Sequence, residues 1–291
     1  MSVPAAYLGV ILIWATTPLA IKWSTEEVGF LFGVSSRMLI GYLICLTLLR
    51  LLRIELPWHR QARHAYLAAG LGMFAAMLSV YWGAQFIPSG LVSVLFGVSP
   101  IVIGLLASQW LGEHSLTRGK LFGILLALGG LVLIFLPRDL DGQIAPQGVA
   151  AVLLAVLFHS LSAVWVKRIA SPLHPMAINS GALSIAVPLY ILVWWWLDGG
   201  VPTQYDSRTM GAIVYLAVFG TVLGFNLYFY LIKRISAGAL SLVTLVTPVL
   251  ALIIGWMFNN ETLSIEVWLG TAAILLGLLC YQYYGIRRVG S

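Results

Sequence analysis

The sequence predicts an all-α membrane protein, with ten transmembrane helices arranged as two inverted five-helix repeats, residues 1–143 and 144–291. Three observations predict it. The chain is 60% hydrophobic and only 9% charged, whereas a soluble domain carries about 25% charge. A water-soluble protein of this make-up would expose apolar patches large enough to aggregate, so the solvent is mostly lipid. One pattern also occurs twice: Gly90-Leu-Val-Ser93, Pro100 and Glu113, then Gly238-Ala-Leu-Ser241, Pro248 and Glu261, with the copies 148 positions apart. The third observation is an uneven placement of the basic residues between the apolar runs.

The runs read in order as spans 3–22, 29–50, 64–86, 90–111, 119–136, 147–166, 175–197, 209–232, 238–258 and 266–286. Each approaches the roughly 20 residues that cross a hydrocarbon core. The first has no basic n-region and no small-x-small cleavage site, so it reads as a retained helix. Most connections are short, and only 137–146 and 198–208 are polar enough to be exposed loops. With the N-terminus in the cytoplasm, twelve Lys and Arg, from Arg50 to Arg288, fall on the cytoplasmic side. Only Lys22, Arg138 and Arg208 fall outside. That is the positive-inside pattern, and it places both termini in the cytoplasm. The net charge of +6 is therefore orientation information and does not point to nucleic acid. Gly119-x-x-x-Gly123 in span five and Gly270 with Gly277 in span ten are small-residue faces for close helix packing. Internal packing is the simpler use of them; a weak homodimer through helices five and ten is the alternative to a monomer. Cys45 and Cys280 lie inside apolar runs and suggest neither a disulfide nor a metal site.

The repeated stretches stand five spans apart, an odd number, so the second copy crosses the membrane in the opposite sense. Inverted repeats of this kind are a common plan of secondary transporters, with substrate near the midplane between the halves. The first spans follow the scheme: Trp14 and Lys22 align with His159 and Lys167, and Ser36-Arg37 with Ser180-Gly181. With mid-helix Pro100 and Pro248 and helix-ending Glu113 and Glu261, the chain resembles the EamA-type transporters of the drug/metabolite transporter superfamily. The resemblance implies a multi-pass protein of the bacterial inner membrane that exports small metabolites, often amino acids or drug-like compounds. It also implies that helices one to four and six to nine enclose the pathway.

The candidate site residues follow from depth and chemistry. Pro100 and Pro248 stand about 11 residues into their spans, near the midplane at 1.5 Å per residue. Each lacks an N–H and frees the carbonyl four residues back, of Phe96 and of Thr244. They read as hinges or as static kinks. Arg37 is the single formal charge deep in an apolar run. An arginine there costs about 2.5 kcal/mol or more, so it should face the bundle interior or a wet cavity, where it grips a carboxylate or is tied to backbone. Trp14 and His159 share a depth. His159 reads as a substrate hydrogen-bonder, a proton carrier or a packed neutral ring. Tyr81, Trp82 and Tyr228 are deep aromatics suited to stacking on a ligand or to packing. Asn179 and Asn226 need partners, either a neighbouring helix or substrate. Glu113 and Glu261 sit where a carboxylate opposes the macrodipole of its own helix, so each calls for a specific partner, as a gate or as a permanent tie. Arg118 or Lys120 fits Glu113; Lys22 or Arg138 fits Glu261.

A secondary transporter exporting small organic metabolites, such as amino acids, accounts for these features. An exporter of drugs or cations would want a deep acid where this chain offers an arginine. A membrane enzyme would need a polar catalytic cluster at the membrane surface, and none is legible. A non-transporting membrane subunit would not need midplane breaks. The expected partners are a small-molecule substrate and membrane lipid, with no metal or cofactor.

Overall fold

In a computed structural model, residues 2–110, 118–135, 144–169, 172–204, 206–234, 243–261 and 264–286 are described. They are helical, with short turns and no strand among them. The helices are α1 (Val3–Trp23), α2 (Phe30–Leu51), α3 (Arg60–Gly83), α4 (Ser89–Phe96), α5 (Ser99–Trp110), α6 (Arg118–Phe135), α7 (Pro146–Ile169), α8 (Pro175–Leu197), α9 (Ser207–Tyr215), α10 (Phe225–Ile232), α11 (Val243–Asn259) and α12 (Ile265–Ile286). A π-helical segment, Leu216–Gly224, joins α9 to α10. Among the described residues seven segments are long and apolar enough to cross a membrane, α4–α5 and α9–α10 each counting as one. With α6 and the shorter apolar helices α11 and α12, ten spans follow one another.

Local chemistry sets the helix starts. Ala5 N–H donates to the Ser2 hydroxyl, Ala62 N–H to His59 Nδ1, Met176 N–H to His174 Nδ1 and Thr209 N–H to Asp206 Oδ1. Each side chain satisfies an N–H that the first helical turn leaves without a partner. The His59 cap is why α3 begins at Arg60, four residues before the sequence-based boundary.

Two spans depart from a plain helix, and a third that the repeat marks does not. The fourth is two helices, because Pro100 offers no N–H to the Phe96 carbonyl and the chain turns at Gly97–Val98 before α5 begins. The eighth carries the π segment. The ninth runs helically through Pro248, so this proline does not divide α11. Pro18 in α1 and Pro188 in α8 are further interior prolines that the repeat does not mark.

Apolar burial in water does not drive helices together in lipid, so close packing must. The Gly123 and Gly130 backbone on α6 meets Gly277 and Gly270 on α12 so closely that a Cβ on Gly123 would stand 2.5 Å from the Gly277 carbonyl oxygen. One on Gly130 would stand 2.5 Å from that of Gly270. The small-residue faces of spans five and ten therefore pack on each other. Elsewhere α3 lies against α7 and α8, α2 against α8 and the π segment, α4 and α1 against α11, and α1 against the π segment and α10. The outer faces present Leu8, Leu12, Leu121, Leu125, Leu128 and Trp196.

The charges gather at the bundle ends. At one end Arg208 pairs with Glu26 at 2.5 Å, and Lys22 lies 3.7 Å from Glu261. Asp206 N–H donates to Glu27 Oε2 at 2.6 Å. At the other end Gln61 Nε2 donates to the Ile169 carbonyl at 3.0 Å, and Lys233 Nζ donates to that of Leu173.

Candidate functional site

Four aromatic side chains meet in the bundle interior, two from each half of the chain. Trp14 comes from α1, Phe96 from the end of α4, His159 from α7 and Tyr228 from α10. The centroid of His159 lies 6.3 Å from that of Trp14, 6.0 Å from Phe96 and 5.6 Å from Tyr228; Trp14 and Tyr228 are 5.3 Å apart. These are edge-to-face and tilted ring contacts, the geometry that ring quadrupoles favour. The sequence pointed to Trp14, His159 and Tyr228. It missed Phe96 as a side chain, although Phe96 is the residue whose carbonyl Pro100 frees. Pro18 frees the carbonyl of Trp14 in the same way, so two of the four rings sit on backbone loosened by a proline.

His159 and Tyr228 form the inner end of a cleft between α3, α7 and α10, with about 350 Å³ of non-atom space counting its open mouth. Ala69, Gly72 and Met73 form one wall, Ser162, Ala163 and Val166 the second, and Phe225, Phe229 and Ile232 the third. Val166 and Ile232 place the mouth toward the end that carries Lys167 and Lys233. The walls bear no charged side chain, so the cleft suits an apolar or aromatic moiety.

The remaining polar candidates form a separate seam between α2, α8 and the eighth span. Arg37 is 1% exposed. Its Nε donates to Thr221 Oγ1 at 3.0 Å and its Nη1 to the Tyr81 hydroxyl at 3.3 Å, and its guanidinium lies 5.9 Å from the Tyr81 ring centre. Among the described residues no carboxylate pairs with it. Arginine thus faces the interior as expected, but its environment is closed and neutral. The neighbouring backbone makes room for it. A Cβ on Gly220 would lie 2.7 Å from Arg37 Nη2, and one on Gly41 would lie 2.6 Å from Thr221 Cγ2.

Thr221 also binds the next member of the seam. Asn179 Nδ2 donates to the Thr221 carbonyl at 3.0 Å and reaches Cys45 Sγ at 3.7 Å. Asn226 Nδ2 donates to the Val222 carbonyl at 2.6 Å. A carbonyl partner fixes each amide's orientation, which leaves Asn179 Oδ1 and Asn226 Oδ1 buried without a donor among the described residues; Ser180 Oγ likewise has no hydrogen-bond partner among them. Unpaired buried acceptors cost about 1–3 kcal/mol each. The seam is therefore a polar place that its own residues do not satisfy. The sequence reading did not single out Thr221, Cys45 or Ser180 as site residues, because a small polar residue in an apolar run carries no periodic signal. The π segment escaped it for the same reason, and such segments recur at functional sites.

The other candidates lie apart. Trp82 is 38% exposed and packs edge-to-face on Phe86, away from both clusters. Pro248 is buried within α11. Glu261 is 7% exposed and its Oε1 accepts from Ser89 N–H at 3.0 Å and from Asn259 Nδ2 at 2.9 Å; Oε2 accepts from Gly90 N–H at 3.3 Å. It sits at the positive end of α4, contributed by the other half of the chain, with Lys22 as its ionic neighbour. Glu113 lies outside the described residues. Among the described residues no group of His, Cys, Asp or Glu is placed to hold a metal.

Known proteins share this architecture. The model of the EamA-like transporter family matches residues 3–136 and again 146–282. The uncharacterized transporter YoaV of Bacillus subtilis is 26% identical, over 97% of both chains. The uncharacterized inner membrane transporter YedA of Escherichia coli K12 is 27% identical over 94% of this chain and 88% of its own length. Protein PagO of Salmonella typhimurium is 22% identical over 96% and 92%. A crystal structure of a protein 20% identical in sequence superposes with a TM-score of 0.70 over all of this chain and 99% of the other, a likeness of fold.

Proposed function

Because this chain belongs to the EamA-like transporter family, and is thereby a multi-span membrane transporter rather than an enzyme, we propose that it exports small organic metabolites bearing an aromatic or apolar body and a carboxylate, amino acids among them, by alternating access. The observation that carries the reading is the ring cluster of Trp14, Phe96, His159 and Tyr228 at the inner end of the cleft, two rings from each half. A ligand held there touches both halves, as a substrate about which they rock must. The aromatic walls take its body. Arg37, held by hydroxyls and by no acid among the described residues, takes its carboxylate once the seam opens, and the free amide oxygens of Asn179 and Asn226 take its N–H groups.

The inverted relation of the halves belongs to this proposal, and the packing supports it. Exchanging each span with the one five further on preserves the principal pairings: three with six becomes eight with one, three with seven becomes eight with two, and five with ten is unchanged. The orientation with both termini in the cytoplasm, which the basic residues indicate, makes the cleft mouth cytoplasmic and the Lys22–Glu261 end external.

The test is uptake into proteoliposomes from a panel of amino acids, aromatic metabolites and cationic drugs, with and without a pH gradient. Carboxylate-bearing compounds are expected to move, and to move at least tenfold more slowly in Arg37→Gln and Trp14→Ala. Movement of the cationic drugs alone, unaffected by Arg37→Gln, would favour a cation exporter that uses the rings for cation–π contacts. A folded protein that moves nothing in the panel would sink both readings.

A further inference from the structure

We infer that α4 is a lever that links occupancy of the ring cluster to the opposite end of the bundle, with Glu261 as the latch at its outer end. The inference rests on the alternating-access reading.

The short helix has three properties of a lever. Its inner end adjoins a joint. It stops at Phe96, because Pro100 cannot bond back to it, and the chain passes through Gly97 and Val98 before α5 begins. Gly97 N–H donates to both the Ser93 and Val94 carbonyls, at 3.1 and 3.0 Å, a shared bond at the joint. Its body is one rigid piece of eight residues, about 12 Å long. Both ends are held by side chains from the other half of the chain. Phe96 lies against His159 at 6.0 Å. At the far end Ser89 and Gly90 give their N–H groups, which have no partner within α4, to the two oxygens of Glu261.

The latch is built and not incidental. Asn260, at φ 49°, turns the chain out of α11, and Glu261 N–H bonds back to the Gly255 carbonyl at 3.3 Å. Asn259 donates to Glu261 Oε1 and itself accepts from Trp23 Nε1 at 3.1 Å. Gly255 leaves the space the carboxylate occupies, since a Cβ there would stand 2.5 Å from Oε2. A ligand entering among the rings must move Phe96, the one ring at a helix end beside a joint. The far end of α4 then leaves Glu261, and that face of the bundle loses the bonds that close it.

The test needs no transported compound. Val92, 3% exposed on α4, is replaced by cysteine in a Cys45→Ala, Cys280→Ala background, and the rate of reaction with a polar thiol reagent is followed in purified protein. Glu261→Gln should raise the rate at least tenfold and Phe96→Ala at least fivefold, and the pair together should react no faster than Glu261→Gln alone. Lys22→Gln should change it less than threefold, because the backbone bonds and not the ion pair hold the latch. Thermal unfolding checks that each variant is folded. If Glu261→Gln does not fold, Gly255→Ala displaces the same carboxylate and should raise the rate. An unchanged rate in folded Phe96→Ala, or two effects that multiply, overturns the lever; an unchanged rate in folded Glu261→Gln or Gly255→Ala overturns the latch. A failed substrate screen would leave these rates standing, and failed rates would leave the ring cluster as a binding site.

Discussion

Arg37 is the residue where energetics and function part most clearly. A guanidinium at 1% exposure, with two hydroxyl partners and no acid among the described residues, is a net cost to the fold, since a buried charge without its opposite is poorly compensated. Replacing it by an apolar residue of similar length should therefore be tolerated. Arg37→Met is expected to leave the thermal midpoint in detergent unchanged or higher, and to abolish uptake of carboxylate-bearing compounds. A large fall in the midpoint would make Arg37 structural. Asp206 offers a contrast at the bundle end. The Thr209 backbone N–H, more than any other cause, holds its carboxyl below the usual carboxylate range. A depressed value means that the cap's contribution is present above the unfolded carboxylate pKa and is lost as pH falls through the folded one. Amide exchange across Ser207–Met210 should accelerate as the pH drops below about 4, after correction for the intrinsic pH dependence. In Asp206→Ala it should be fast throughout.

Among the elements, α6 and α12 test how glycine governs packing in lipid. Gly123 and Gly277 each face the other's carbonyl oxygen, a Cβ on either standing 2.5 Å from it, whereas a Cβ on Gly129, six residues along the same helix, meets nothing within 4 Å. Gly123→Val should lower the thermal midpoint and the yield of monodisperse protein, as overpacking costs about 1–3 kcal/mol, and Gly129→Val should do neither. Two proline-bearing spans show the limit of reading prolines from a repeat. Pro100 and Pro248 occupy matching places, yet the chain divides into α4 and α5 at one and runs on as α11 at the other. Proline removes a bond wherever it stands; the neighbours decide whether the helix then parts. A glycine, Gly97, stands three residues before Pro100, where Leu245 stands before Pro248, and only the first adds a residue that favours an open joint.

At the scale of the molecule, orientation is the property most cheaply checked. A reporter active only in the cytoplasm, fused after residue 291, should be active, and one inserted between Asp198 and Asp206 should be inactive; the reverse pattern would turn the proposed cleft to the outside. The sequence by itself determined that the chain lives in lipid, that it has ten spans, where most of them lie, and that Trp14 and His159 share a depth. These are read from composition, run length and a repeat offset, which are properties of the chain in order. Tertiary structure alone decided that Arg37, Tyr81 and Asn179 form a seam distinct from the ring cluster, with Asn226 one of its unsatisfied amides. It also decided that Trp82 turns outward, and that Glu261 caps a helix 172 positions earlier, at Ser89. The physical reason is that a span shows in sequence which residues are apolar but not which way they face. Every face of a helix in this bundle meets something apolar, lipid or neighbour, so hydrophobic periodicity is weak. A side chain's direction is then fixed by the helix beside it, and above all by where two glycines let that helix come close.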